Sequence, residues 1–170
     1  ITSANATGTG LSNYTITYQD GTLTIDPAAL TITALDQAST YGQTPVLGAS
    51  AFSASGLVHG DTVSSVALGT TATGASSVGT YGITASGANG IGLGNYTIAY
   101  QPGALTIDPA ALTVTANNQS MIYGNAPSLG TAAFTTSGLM NSDTVTGPGL
   151  TTDATSASHV GAYTITASSA

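Results

Sequence analysis

The sequence predicts a mainly β fold, arranged as small β-rich modules in a row with little helix. Apolar residues alternate with threonine at a period of two, as in residues 14–18 and 30–34, which is typical of half-buried strands. No stretch keeps the helical period of 3.6, and the helix formers Glu, Lys and Arg are absent. The whole chain also repeats itself at one fixed offset.

This offset separates two copies of a five-residue motif. The sequence Asp-Pro-Ala-Ala-Leu at residues 26–30 recurs at residues 108–112, which defines an 82-residue repeat. Alignment of residues 1–88 with residues 83–170 gives 52 identical positions of 88, without insertion or deletion. Self-similarity at a fixed period is the signature of tandem repeats, so we expect further copies on both sides in the parent protein.

Residues kept at this offset are the candidate structural markers of the repeat. They are Asp26 and Pro27 with Asp108 and Pro109, Tyr41 and Gly42 with Tyr123 and Gly124, Asp61 with Asp143, Tyr81 with Tyr163, and Tyr96 with its copy Tyr14. The Asp-Pro step is the expected joint between modules, because proline fixes φ and restrains the residue before it to extended conformations.

This joint divides the chain into three parts. Residues 1–27 are expected to be the C-terminal strands of a preceding repeat, 28–109 a complete 82-residue module, and 110–170 a following repeat that is incomplete at its C-terminus. A fold boundary near residue 83 is the alternative.

Further strands are predicted at residues 23–25, 63–68 and 81–85, with copies one repeat length later. Residues 19–22 (Gln-Asp-Gly-Thr) predict a tight hairpin, because Asp-Gly supplies the positive φ of a primed turn. Their copy at 101–104 (Gln-Pro-Gly-Ala) predicts a type II turn. At most one short helical turn per module is expected, near residues 45–52 or 55–61, and residues 87–94 are predicted to be a flexible loop.

An 82-residue module is small, so its core should use nearly every large apolar residue. The predicted core is Leu30, Ile32, Tyr41, Leu47, Phe52, Leu57, Val63, Leu68, Val78, Tyr81, Ile83, Tyr96, Ile98, Leu105 and Ile107.

Composition excludes several classes of function. The chain has no Lys or Arg, and its seven acidic residues are all aspartate, giving a formal net charge of -7. Without a fixed cation it has no electrostatic means of binding nucleic acid or an anionic membrane surface. Cysteine is absent, so no disulfide or Cys-based zinc site can form. No apolar run reaches the roughly 18 residues of a membrane span, so we expect no membrane insertion by this segment, and any export signal or anchor lies outside it.

A site used by every module should recur in both copies, and the chemically useful residues mostly do not. His59 is matched by Asn141 and His159 by Ser77. Asp20, Asp36 and Asp153 are matched by Pro102, Asn118 and Thr71. Nucleophilic catalysis then has no shared base, so we expect no catalytic residue, no cofactor and no enzyme. Asp61 and Asp143 recur and are weak calcium candidates, although Ca²⁺ usually requires six to eight oxygens.

The order of short motifs resembles a known family. Leu-Thr-Ile-Thr-Ala, Tyr-Gly, Ser-Gly-Leu, Asp-Thr-Val, Val-Gly-x-Tyr, Asn-Tyr-Thr-Ile and Leu-Thr-Ile-Asp-Pro follow one another at fixed spacing. This is similar to the MBG (YGX-type) repeat of large bacterial surface adhesins, including proteins of the filamentous haemagglutinin type. The resemblance implies a β-grasp-like fold or an immunoglobulin-like sandwich, an extracellular location on the bacterial surface after secretion across the outer membrane, and no catalytic residues. The second copy departs from it, with Asn141-Ser142-Asp143 where the first copy keeps the usual Gly-Asp step as Gly60-Asp61.

Three functions follow from these observations. The first is a structural spacer, in which neighbouring repeats of the same chain form a stalk that projects a distal binding region. The second is a self-assembling extracellular filament or matrix subunit, in which edge strands pair with other copies of the chain. The third is a module that binds glycan or a host or matrix protein through exposed Thr, Asn and Tyr side chains.

Overall fold

The structure, a computed structural model, describes residues 5–168. Their secondary structure consists of strands and two 3-10 helices, without an α-helix, which confirms the mainly β class. The 3-10 helices are Leu11–Asn13 and Leu93–Asn95. The strands are β1 (Ala28–Ala34), β2 (Gln37–Thr40), β3 (Phe52–Ser55), β4 (Thr62–Thr70), β5 (Gly79–Ile91), β6 (Tyr96–Gln101), β7 (Gly103–Asp108), β8 (Thr113–Ala116), β9 (Phe134–Ser137), β10 (Gly149–Thr152) and β11 (Ile165–Ser168).

Strands β1 to β7 pair into two sheets, and we call residues 28–108 the seven-strand unit. One sheet has the order β3-β1-β6 and the other the order β2-β7-β5-β4. The alternation seen in the sequence is the reason for this arrangement, because it gives each strand one apolar face. In β1 the inward residues Leu30, Ile32 and Ala34 are buried, while the intervening threonines are only half-buried.

Two long parallel pairings define the direction of the seven-strand unit. β1 runs parallel to β6 from the pair Ala28 and Tyr96, and β2 runs parallel to β7 up to the pair Thr40 and Asp108. In residues 28–40, and again in residues 96–108, the chain passes from one sheet into the other without reversing its direction. Residue 28 therefore lies at one end of the paired segments and residue 108 at the opposite end.

This arrangement shows that the predicted turn at residues 101–104 was wrong. β6 and β7 belong to different sheets and do not pair with each other, and Gly103 does not have a positive φ. Glycine is required there for a different reason, because a Cβ on Gly103 would lie 2.5 Å from the carbonyl oxygen of Ala34. The Asp36 carboxylate accepts the Ala104 N–H at 2.7 Å and holds the two segments together where they change sheets.

The hairpin predicted at residues 19–22 is also absent. Residues 5–27 contain the first 3-10 helix and no strand, so the strands predicted at 14–18 and 23–25 are not formed either. Among residues 45–52 and 55–61 the structure has turns and part of β3 instead of the predicted helical turn. The two 3-10 helices lie elsewhere, each directly before the Tyr of an Asn-Tyr-Thr-Ile motif.

The glycine-rich stretch 87–94 is mostly strand, and the prediction of a flexible loop was wrong. β5 continues to Ile91 and pairs with β4, with irregularities between Val63 and Ser65 and between Ser65 and Ala67. A Cβ on Gly90 would collide with the backbone of Thr62, so glycine permits this close pairing. The irregularities also change which face of β4 points inward, and strict alternation from Val63 could not reveal that Val66 is buried.

The core has two parts. One contains Ala34, Ala72, Ile83, Leu105 and Ile107, and the other contains Leu30, Ile32, Val66 and Tyr96. Six of the predicted core residues are among these, and eight others, such as Leu47 and Phe52, are half-buried. Val78 is exposed, so its assignment to the core was wrong, and Ala34, Val66 and Ala72 were missed.

Strands β8 to β11 form two separate two-stranded sheets, and we call residues 110–168 the four-strand unit. β8 pairs with β9 from Thr113 and Ser137, and β10 pairs with β11 from Gly149 and Ser168. Both registers equal those of the seven-strand unit shifted by one repeat length, since Thr31 pairs with Ser55 and Ala67 with Ser86. The repeat in sequence is therefore a repeat in strand pairing.

Candidate functional site

The phenol of Tyr96 joins β6 to the turn before β4. Its oxygen accepts the Val58 N–H at 2.9 Å and lies 2.8 Å from Oδ2 of Asp61 and 3.2 Å from the Val58 carbonyl oxygen. The phenol has one proton, and a carboxylate is the stronger acceptor, so we assign the proton to the hydrogen bond with Asp61. Two of the repeat markers thus contact each other, which explains why they recur together.

These neighbours change the acidity of Tyr96. The Val58 N–H stabilises the phenolate and acts to lower the pKa, but burial of the hydroxyl and the adjacent Asp61 carboxylate act in the opposite direction. The net effect raises the pKa of Tyr96 above its ordinary value of 10.0. The phenol therefore stays protonated at neutral pH, where it donates to Asp61 and cannot serve as a base.

Gly92 provides the space for the Asp61 carboxylate. Its φ is 78°, in the left-handed region, and a Cβ at this position would collide with the Asp61 side chain. Sequence reasoning did not select Gly92, although its recurrence as Gly10 was a usable signal.

Asp143 makes a different contact, between the two units. The Tyr41 hydroxyl donates to Oδ2 of Asp143 at 2.9 Å, and the Asn141 side-chain amide donates to the Gly74 carbonyl at 3.0 Å. Met140 packs against Gly42, where a Cβ would collide with the Met140 side chain. These residues form the junction between the seven-strand unit and the four-strand unit, and its polar contacts are exposed to solvent.

The turn that carries the junction keeps its shape despite its change in sequence. His59 and Gly60 have φ of 55° and 80°, and their copies Asn141 and Ser142 have φ of 50° and 64°. Asparagine adopts the left-handed region more readily than serine does, so Ser142 is the strained member of the second turn.

Three other tyrosine markers, Tyr81, Tyr163 and Tyr41, make hydrogen bonds to backbone carbonyl groups in or near the strands. The Tyr81 hydroxyl donates to the Ser77 carbonyl at 2.9 Å, and the Tyr163 hydroxyl donates to the His159 carbonyl at 3.2 Å. The Tyr41 N–H donates to the Asp108 carbonyl at 2.8 Å, which extends the pairing of β2 with β7 by one residue.

The remaining recurring positions and the histidines lie at the surface. Asp26, Pro27, Pro109, Tyr123 and Gly124 are exposed, as are the side chains of His59 and His159. In residues 5–168 no group of three or more His, Cys, Asp and Glu side chains is placed to hold a metal ion. A calcium site at Asp61 and Asp143 stays a prediction, and each of these carboxylates accepts a hydrogen bond from a tyrosine. The geometry of the recurring residues is that of structural contacts within and between modules.

The sequence was also compared with known proteins. Residues 30–106 and 112–170 match the MBG domain of YGX type, so the chain belongs to this family. Each matched segment contains a Tyr-Gly pair at the same position of the repeat, Tyr41-Gly42 in the first and Tyr123-Gly124 in the second. No curated protein and no solved structure matches the chain.

The family gives the coarse function. MBG domains are repeat modules of a structural or adhesin type, they occur in extracellular surface proteins, and they are not known as enzymes. No helix in residues 5–168 is long and apolar enough to cross a membrane.

Proposed function

We propose that this chain is a set of spacer repeats in the stalk of a bacterial surface adhesin secreted across the outer membrane. Each repeat would run from residue 28 to residue 109 or its equivalent, with residues 1–27 closing the preceding repeat and residues 110–170 beginning the next. The stalk would project a distal binding region, and its principal partners would be neighbouring repeats of the same chain.

The direction of the chain through the seven-strand unit carries this proposal. The paired segments begin at Ala28 and end at Asp108, at opposite ends of the strands. The thirteen positions from 28 to 40 span at most about 40 Å at roughly 3.3 Å per residue in parallel strands. A module whose two ends lie on opposite sides lengthens an array with every added copy, whereas adjacent ends would fold the array back.

The junction favours the same role. Contacts of Tyr41 with Asp143 and of Met140 with Gly42 limit the bending between neighbouring units. The low charge of the chain, with no Lys or Arg, leaves no ion pairs at this junction to be weakened by salt.

Arrays of increasing repeat number test the proposal. Proteins with two, four and eight copies of the 82-residue repeat should be rods whose maximum dimension, measured by small-angle X-ray scattering and electron microscopy, rises linearly by up to about 40 Å per copy. Arrays with Tyr41→Phe in every copy, which removes the hydrogen bond that Tyr41 makes to Asp143 at the junction, serve as the control for junction stiffness and should bend more. Compact arrays whose length does not grow with copy number would overturn the spacer role. Saturable glycan binding by a single repeat would favour recognition instead.

A further inference from the structure

The junction consists of a docking site on the seven-strand unit and a turn of the four-strand unit. We call Tyr41, Gly42 and the Gly74 carbonyl the docking site, and residues 140–143 the docked turn. Three contacts join them: an apolar contact, a hydrogen bond from an amide and a hydrogen bond between a hydroxyl and a carboxylate. Each contact uses a different chemical group, so together they can distinguish one turn sequence from another.

The docking site is built from two segments of the seven-strand unit. Tyr41 and Gly42 follow the end of β2, and the loop of Gly74 packs against Thr44, whose hydroxyl oxygen would lie 3.2 Å from a Cβ on Gly74. Gly42 has a φ of 85° and no side chain, so Met140 lies directly over its backbone. The site is thus a small surface with a glycine floor, one hydroxyl donor and one carbonyl acceptor.

The first repeat has the same turn at residues 58–61, with different side chains on the same backbone. The Asp61 N–H donates to the Val58 carbonyl at 3.0 Å, as the Asp143 N–H does to the Met140 carbonyl at 2.8 Å. The two positive φ angles between these residues also match. Because the backbone is the same, differences in side chains act on what each turn contacts. The first turn has Val58, His59 and Gly60 where the second has Met140, Asn141 and Ser142.

Met140 reaches farther than Val58 does. The atoms nearest to where a Cβ on Gly42 would lie include the Cβ, Cγ and Sδ of Met140. Valine has no atom equivalent to Sδ and is stiff because it is branched at Cβ, whereas methionine adapts to an irregular surface. Met140 is half-buried at the junction, while Val58 is 48% exposed. The longer side chain is therefore the one that covers the glycine floor.

Asn141 provides a donor for the docking site. Its side-chain amide donates to the Gly74 carbonyl at 3.0 Å. An amide always has two N–H donors, whereas a neutral imidazole such as that of His59 has one, on either of its two ring nitrogens. Asparagine also tolerates the left-handed backbone of this position, where φ is 50°. Asn141 thus keeps the shape of the turn and contacts the docking site at the same time.

We propose that the docking site selects the turn of the repeat that follows it, with Met140 and Asn141 as the specificity residues. Its partner is a turn of the pattern Met-Asn-x-Asp, which presents a long apolar side chain, an amide and a carboxylate. It binds this turn in preference to the pattern Val-His-x-Asp of residues 58–61. The aspartate is common to both turns, so it contributes affinity without discrimination. This inference rests on the spacer role, because it treats the two units as neighbouring repeats of one stalk.

The test exchanges the turn within the 170-residue chain and measures docking of the two units by single-molecule fluorescence energy transfer. The chain has no cysteine, so Thr80→Cys and Thr135→Cys place one dye at an exposed strand position of each unit. The exchanged turn is Met140→Val with Asn141→His and Ser142→Gly. It should raise the ratio of undocked to docked molecules by about tenfold, because the Sδ contact and the amide hydrogen bond are lost. Ser142→Gly alone is the matched control and should leave the ratio unchanged, since it lies outside the three contacts.

A second pair of variants separates docking from backbone strain. Gly42→Ala should raise the ratio of undocked to docked molecules at least as much as the exchanged turn does, because its Cβ displaces Met140. Gly124→Ala is at the same position of the repeat, with φ of 89° against 85°, and within residues 5–168 no atom lies within 4 Å of the added Cβ. It should leave the ratio unchanged.

Three results would each overturn the proposal. They are an unmodified chain in which undocked molecules predominate, an exchanged turn that docks as well as the Ser142→Gly turn, and equal effects of the two alanine variants. Arrays that lengthen with every repeat but show one of these results would leave the spacer role in place. Compact arrays with a selective junction would overturn the spacer role alone.

Discussion

The same residues are core in one part of this molecule and surface in another. Leu105 and Ile107 are buried between two sheets, while Leu23 and Ile25, in the same sequence context, are exposed. Likewise Leu30 is buried and Leu112 is not. Local sequence therefore sets which residues could form a core, and the presence of the partner strands decides whether they do.

Equivalent substitutions in the two copies should differ most in their effect on stability at these leucine and isoleucine side chains. Leu105→Ala or Ile107→Ala should each destabilise the seven-strand unit by about 2–5 kcal/mol, because a cavity remains in a packed core. Leu23→Ala and Ile25→Ala should leave its stability unchanged at concentrations where the chain is monomeric. Urea unfolding followed by circular dichroism measures both, and equal losses at the two sites would contradict the comparison.

Gly92 and Gly10 provide a matched pair with the same backbone conformation. Gly92→Ala should cost about 2–4 kcal/mol, since a left-handed alanine costs about 1–2 and displacing Asp61 removes its hydrogen bond with Tyr96. Gly10→Ala has only the local backbone cost and lies outside the seven-strand unit, so the unfolding midpoint should not move. A similar shift for both variants would show that backbone conformation alone, and not the Asp61 contact, sets the effect.

The hydroxyls of Tyr96 and Tyr14 should also differ in how much they contribute to stability. Tyr96→Phe should cost about 1–2 kcal/mol because the Val58 N–H and the Asp61 carboxylate lose their partner. Tyr14→Phe removes the same atom from an exposed residue and should change nothing. Thermal unfolding of the two variants checks this.

The pH dependence of the Tyr96 contribution has a defined sign. The folded state raises the pKa of Tyr96 above its ordinary value of 10.0, so the folded state holds the proton more tightly than the unfolded state does. The stabilisation is complete below pH 10 and is lost as pH rises through the folded-state pKa. The stability difference between the wild-type chain and Tyr96→Phe should therefore shrink above pH 10, and a difference that grows there would contradict the assigned contact.

The smallest effect concerns the turn that changes sequence between the copies. Ser142→Gly should stabilise the four-strand unit by about 0.4–1 kcal/mol, because glycine adopts the left-handed conformation without strain. Gly60→Ser, the reverse change, should destabilise the seven-strand unit by about 1 kcal/mol. Hydrogen exchange of the amides in β4 and β10 would measure the two shifts, which should be opposite in sign.

The sequence predicted strand positions within the seven-strand unit better than strand partners. Alternation identified β1 and most of the core, and the fixed offset identified Tyr96 and Asp61 as important. It could not show that these two side chains meet, because they come together only through pairing between distant segments. The Asp-Gly signal at residues 20–21 failed for a similar reason. In the equivalent segment glycine is needed for the approach of Gly103 to Ala34, a contact that no local turn rule contains.

Hydrogen exchange of the intact 170-residue chain tests the dependence on partner strands most directly. The backbone amides of β6 and β7 should be strongly protected, while those of residues 23–26 should exchange rapidly despite their sequence identity with residues 105–108. Equal protection of the two segments in the monomer would contradict the account, because strand formation would then be a property of the local sequence alone.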